Sequence, residues 1–310
     1  MNQPPFGVIA DLLKKGRVIP FLGAGVNLGA RPKNFEWAPS CPYAPSGSEL
    51  ALFLARESNF PLNNERDRKD LAKVASYYVE SVDRGVLREK LRELFVKQYA
   101  ACSIHTYLAS LQTPLLVVTT NYDTVLERAF TAAGRPFDLV VHPTDRKDIE
   151  ASILWWPHGS EEPEIVPPNR LAIDLNTTTV IYKMHGTVRQ EAHSWDSYVI
   201  TEDDYIDFLS RMTAQVAVPA TFMHHFRSRH FLFLGYGLQD WNFRVLLNNM
   251  RAVLSHRSAD DARPDRPDPP RSWAIQRSPS PLEKELWNTR KVNIYAMKLE
   301  DLVPRLQAGR

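Results

Sequence analysis

Four short apolar runs, each ending in a polar or glycine-rich turn, constrain this chain more than any other feature. Val18–Leu22 leads into Gly23-Ala24-Gly25, and residues 115–118 lead into Thr119-Thr120-Asn121-Tyr122-Asp123. The β-branched stretch 178–182 ends in Lys183-Met184-His185-Gly186, and residues 231–234 end in Gly235-Tyr236-Gly237. Runs so short and so uniformly apolar read as strands buried on both faces. Helical patterns over residues 6–15, 124–133 and 240–250 lie beside them. Strands alternating with helices imply an α/β fold with a mainly parallel sheet and helices on both faces. In such a sheet the ligand crevice lies beyond the carboxyl ends of the strands, where the four turns fall.

Between these runs, Leu50, Leu54, Leu71, Val74, Tyr78, Leu87, Leu91, Leu94 and Phe95 recur at three- and four-residue spacing. That period predicts a smaller helical lobe inserted over roughly residues 34–111. Residues 255–271, crowded with Arg, Asp and Pro, read as an exposed loop inside the fold. After it, residues 273–275 and 292–297 read as strands, and 281–287 and 300–306 as helices. A chain of 310 residues suits one large catalytic domain, 1–310, with its inserted lobe.

Composition removes several function classes. The formal charge of +2 offers no footprint for direct nucleic acid binding. Cys41 and Cys102 are the only cysteines, too few for a disulfide framework or a four-cysteine zinc site, so no metal is expected. Residues 1–5 carry no targeting pattern and no apolar run reaches the length of a membrane span, so a cytoplasmic protein without membrane attachment is expected.

Each turn has a chemical and a bland reading. Gly23, Ala24 and Gly25 let the backbone approach a pyrophosphate, with a helix N-terminus behind them. Gly29 falls one residue late for the full dinucleotide spacing, and a plain tight turn stays open. Asn121 and Asp123 can face a crevice with an amide and a carboxylate, or Asp123 can cap the next helix. His185 can stand near a reacting hydroxyl as general base or be a satisfied structural histidine. The second His-Gly pair, His158-Gly159, reads as an exposed loop. Gly235, Tyr236 and Gly237 form a third phosphate-contacting candidate, with Asp240 placed to cap a helix in which Trp241 and Phe243 read as packing residues.

In this order, Phe21-Leu22-Gly23-Ala24-Gly25-Val26-Asn27, Thr119-Thr120-Asn121-Tyr122-Asp123, Lys183-Met184-His185-Gly186 and the run from Phe233 through Gly237 to Asn242 resemble the sirtuin (SIR2-like) superfamily. They are most similar to its bacterial antiphage-defence NADase branch. The resemblance implies a Rossmann-like domain that takes NAD⁺ as substrate. It implies Asn121 and His185 as catalytic residues. Gly23, Ala24 and Gly25 would contact the pyrophosphate, Asp123 the carboxamide, and Gly235 and Tyr236 the adenosine side, with Asn27 and Gly237 also expected to bind the dinucleotide. The expected reaction is hydrolysis of NAD⁺ to nicotinamide and ADP-ribose, or its cyclic variant. Protein deacylation or ADP-ribosyl transfer is the alternative, weakened by the missing zinc module and by Arg31-Pro32-Lys33-Asn34-Phe35 standing where deacetylases carry Pro-Asp-Phe-Arg. A non-catalytic NAD⁺ or ADP-ribose sensor is the third reading. Because rapid NAD⁺ loss is toxic, the resemblance further implies control by a homo-oligomer or a partner such as a HerA-like ATPase.

Overall fold

The computed structural model describes residues 3–61, 64–144, 146, 149, 151–190, 193–214, 217–236 and 271–309. Helix α1 (Phe6–Lys14) precedes strand β1 (Val18–Leu22), and helices α2 (Gly47–Glu57), α3 (Glu65–Arg68), α4 (Leu71–Ser81), α5 (Arg84–Phe95) and α6 (Ser103–Ser110) follow. Next come β2 (Leu116–Thr119), α7 (Val125–Ala132), β3 (Asp138–Val141), β4 (Ile153–Trp156), β5 (Glu164–Val166) and β6 (Val180–Lys183). The short pair β7 (Gly186–Thr187) and β8 (Ser197–Tyr198) leads to α8 (Glu202–Thr213), α9 (Ala220–Ser228) and β9 (His230–Leu234). After the interval come β10 (Ser272–Gln276), α10 (Pro281–Asn288), β11 (Val292–Ala296) and α11 (Leu302–Ala308).

Among the described residues, nine strands form one sheet in the order β11-β10-β9-β1-β2-β6-β3-β4-β5. Every pairing from β11 to β3 is parallel; at the other edge β4 pairs antiparallel with both β3 and β5, so β4 alone runs against the rest. The fold is therefore a mixed α/β, Rossmann-like architecture with a mostly parallel sheet. Alternation along the strands divides the core. Val18, Leu22, Val117, Ile181 and Leu234 face a layer containing α1, α6, α7 and α11. Ile19, Phe21, Val118, Tyr182 and Phe233 face α8, α9 and Trp287 of α10. Helices thus cover both faces.

A third core joins Leu50 and Leu54 of α2, Val74 and Tyr78 of α4, and Leu87, Leu91 and Phe95 of α5. These helices start where side chains replace missing intrahelical acceptors. Ser46 and Glu49 form a reciprocal capping box at α2, and Asp83 accepts from Gly85 and Val86 at the start of α5. Helix α6, inside the stretch expected to be lobe, packs in the sheet layer.

Two expectations need correction. The turn after β1 does not enter an α-helix; Ala24–Ala30 is a seven-residue 3₁₀ helix, and the chain leaves it extended at Arg31, immediately before Pro32. Proline disfavours helical backbone in the residue before it, which stops the helix there. The strand read as 178–182 begins later and takes in Lys183, whose side chain is fully buried. The expected helix 240–250 lies outside the described residues, as does the expected loop 255–271 apart from Arg271. Among the described residues, no helix is long and apolar enough to cross a membrane.

Candidate active site

The parallel pairing aligns the carboxyl ends of β1, β2, β6 and β9, so their turns open on one side. There they border a cavity of about 840 Å³, large enough for a dinucleotide-sized ligand by the usual range of pocket volumes. Of the residues singled out above, Ala24, Gly25, Asn27, Asn121, Asp123, His185, Gly235 and Tyr236 line it. Gly23 sits behind the Tyr236 ring instead, and Gly237 lies outside the described residues. His158 is exposed beyond the end of β4, where its N–H donates to Asp138 at the start of β3, and it is not among the residues that line the cavity.

The glycines are needed first for each other. The Gly23 and Gly25 N–H groups donate to the carbonyls of Leu234 and Gly235 at 2.9 and 3.0 Å. A Cβ on Gly25 would stand 2.7 Å from the Gly235 carbonyl oxygen, and one on Gly23 would stand 2.9 Å from the Tyr236 ring. Gly235 itself has φ of +73°, and its Cβ would meet the Val26 nitrogen at 2.2 Å. Two loops from adjacent strands therefore interlock backbone to backbone. This close approach accounts for the glycines without a ligand, and it brings both loops to one edge of the cavity. The Tyr236 hydroxyl then bonds the Thr120 hydroxyl, tying the β9 turn to the β2 turn as well.

Asp123 serves structure on both oxygens. One accepts from the Val125 N–H at 3.0 Å and so starts α7; the other accepts from Asn27 Nδ2 at 2.9 Å. A carboxylate oxygen has a second lone pair, so these bonds leave capacity for a ligand amide. Asn121 is held at its backbone, where its N–H donates to Thr119 Oγ1 at 3.1 Å. Its side-chain oxygen is buried and has no hydrogen-bond partner among the described residues; the same is true of Asn27 Oδ1. A buried acceptor left unmatched costs about 1–3 kcal/mol, and side chains that line a cavity recover this when a ligand donates to them.

His185 is 8% exposed and meets the rings of Tyr205 and Phe208 edge-on at 5.2 and 5.3 Å. Burial among these rings pushes its imidazole down to about 3, against a small upward pull from the Asp204 carboxylate. The ring is thus neutral at physiological pH and can accept a proton or hydrogen bond. His142, buried and also edge-on to the Phe208 ring, is likewise lowered to about 3, by burial first and then by Arg211 and His185.

Sequence reading missed α8, which brings Tyr205 and Phe208 to the cavity. Its signal was present: Thr201 and Asp204 form a capping box, and Phe208 and Met212 stand four residues apart. It also missed the part played by Lys183, whose ammonium reaches three acceptors beneath the Asn121 turn. The far wall comes from the lobe, with Ser46, Leu50, Arg66 and Lys69, and from the ends of β10 and β11.

Comparison with known proteins gives a consistent set of likenesses. A family model described as a SIR2-like domain matches residues 115–295. An NAD(+) hydrolase ThsA of Enterococcus faecium is 26% identical over 248 residues, covering 79% of this chain and 42% of the relative. One of Acinetobacter baumannii is 28% identical over 211 residues, covering 67% of this chain and 37% of the relative. Defense-associated sirtuin 2 of Bacillus subtilis is 22% identical over 196 residues, 63% of this chain and 15% of the relative. The chain spans about two fifths of the length of the NAD(+) hydrolases it matches.

Proposed function

Because this chain belongs to the SIR2-like family, whose model covers more than half of it, we propose that it hydrolyses NAD⁺ at the bond between nicotinamide and ribose, in antiphage defence by NAD⁺ depletion. The observation that carries this reading is the meeting of Asn121 and His185, from the ends of two different strands, around one dinucleotide-sized cavity. The names of the similar NAD(+) hydrolases and of the defence-associated sirtuin support it.

Nicotinamide leaves as a neutral molecule from a cationic precursor, so the leaving group needs no proton. The protein must position the sugar, exclude water except the attacking molecule, and tolerate an oxocarbenium-like centre. In this reading Asn121 orients the ribose and the water through its side-chain amide, whose oxygen is unmatched among the described residues. Neutral His185 accepts a hydrogen bond from the water or a ribose hydroxyl. Its lowered proton affinity makes transfer unfavourable before attack; once water bonds to the cationic carbon it becomes strongly acidic, and the imidazole then takes the proton. Asp123 binds the carboxamide with Asn27 beside it, Ala24 and Gly25 of the glycine turn face the pyrophosphate, and Gly235 and Tyr236 the adenosine side.

A rapid NADase harms its host, so the reading includes a cytoplasmic protein held in check by a homo-oligomer or by a defence partner, such as a HerA-like ATPase. The test is nicotinamide release from NAD⁺ by the purified chain, alone and with candidate partners, in wild type, Asn121→Ala and His185→Ala. Loss of a positioned proton acceptor lowers turnover by about a hundredfold to ten-thousandfold. Turnover equal to wild type in both variants rejects the assignment.

A further inference from the structure

The Asn121 turn and His185 follow different strands, yet one closed circuit of buried bonds runs through both. Lys183 ends β6 with its side chain fully buried. Its ammonium has three protons and three acceptors: the Tyr122 carbonyl at 3.2 Å, the Asp123 carbonyl at 2.5 Å and Glu127 Oε1 at 2.8 Å. From Tyr122 the circuit continues through its hydroxyl, which donates to the Val199 carbonyl at 2.6 Å. The Val199 N–H donates to the His185 carbonyl at 3.0 Å, and His185 is two residues from Lys183. The Tyr122 carbonyl also accepts from the Val188 N–H at 3.1 Å, adding a second strut.

Stability alone does not call for a cation here. A buried ion pair is often replaceable by apolar residues of similar volume without loss of stability, because desolvation offsets the attraction. What an apolar residue cannot do is donate to two consecutive backbone carbonyls and so fix the path of the turn. Those carbonyls belong to the two residues that follow Asn121. Their position sets where its amide stands relative to the imidazole two residues beyond the lysine.

We propose that Lys183 is a positioning residue for cleavage of the nicotinamide–ribose bond, fastening the Asn121-Tyr122-Asp123 turn in the register that faces Asn121 and His185 across one substrate. This rests on the reading of those two side chains as catalytic. Lys183 touches no substrate and acts only through the turn.

The experiment compares wild type with Lys183→Met, the charge-free double variant Lys183→Met with Glu127→Met, and Tyr122→Phe. Lys183→Met alone leaves Glu127 buried and unpaired and is expected to destabilise the fold. The double variant removes both charges and is expected to recover thermal stability but not turnover. Its kcat for nicotinamide release should fall by about a hundredfold, the loss that a misplacement of about 1 Å produces, with KM little changed. Amide exchange of residues 119–127 should accelerate, while β1 and β9 keep wild-type protection. Tyr122→Phe, which keeps the volume and opens the circuit at Val199, should show the same two changes at smaller amplitude. It serves as the deciding variant if the double one does not fold. Wild-type kcat, or unchanged exchange of residues 119–127, in a folded variant overturns the proposal. Absence of nicotinamide release from wild type would strike the proposed reaction alone, since exchange reads the fastening of the turn without any chemistry.

Discussion

The two sides of the cavity are built by different means. On the sheet side, turns from β1, β2, β6 and β9 are interlocked by backbone bonds and by buried groups such as Lys183 and Asp123. On the lobe side, helices α2, α4 and α5 carry their own apolar core, which reaches the body through Tyr122, Val125 and Tyr198. Polar ties reinforce that seam: Arg84 forks onto Asp204 at 2.9 and 3.0 Å, and Arg92 pairs with Asp196. Chemistry that tolerates little misplacement belongs on the interlocked side. The lobe, held across a seam, is suited to shape the entrance and to exclude water.

The strongest way to break the contrast is Gly235→Ala. Its left-handed backbone is strained for alanine by about 1–2 kcal/mol, and the 2.2 Å approach to Val26 adds a clash that backbone must absorb. Gly134→Ala is the control, with φ of +63° and no atom within 4 Å of its Cβ position. Scanning calorimetry should show a much larger fall in Tm for Gly235→Ala, accompanied by loss of NAD⁺ binding. Equal falls would show that the interlock of the two loops carries no weight.

Arg92→Ala tests the seam. Both partners of Arg92–Asp196 are largely buried, and removing one partner of such a pair costs about 3–5 kcal/mol. Chemical denaturation should report a loss of that order, with substrate affinity weakened more than the chemical step. A fall in kcat alone would move catalytic positioning onto the lobe.

Acid separates the sides more gently. His142 and His185 are lowered to about 3 in the folded protein, whereas an unfolded histidine titrates near about 6.5. The unfolded chain therefore binds more protons below that value, and stability falls as pH falls. Between about pH 6.5 and about pH 5, where unperturbed carboxylates stay ionised, Tm should drop in wild type and drop less in His142→Leu. The smallest effect is expected at Lys69, on the exposed rim of the lobe, where Lys69→Ala removes a solvent-exposed pair with Glu65 and leaves Tm unchanged.

The same contrast explains what could be read in advance. The central strands announce themselves because parallel strands covered on both faces become continuous apolar runs. Strand β3 did not, since it opens with Asp138, whose carboxylate accepts from Trp155 Nε1 and the His158 N–H. Helix α9 hid because Phe222 and Phe226 are its only fully buried positions, too few to show a period. The glycine turn after β1 was legible, whereas the reason for its glycines lies in Gly235, distant in sequence. Lys183 was visible only as part of a motif, because its three acceptors come from another strand's turn and the helix beyond it. Local pattern identifies turns that border a cavity; which groups hold those turns in register is a matter of long-range contact.

The most direct test of the account is a crystal structure of the His185→Ala protein with NAD⁺ bound. The account predicts the nicotinamide ribose beside Asn121 and the position of the missing imidazole, with the pyrophosphate at the turn from Gly23 to Gly25. A dinucleotide bound elsewhere, or lying in this cavity with its adenine at Asn121 and its nicotinamide away from residue 185, would contradict it.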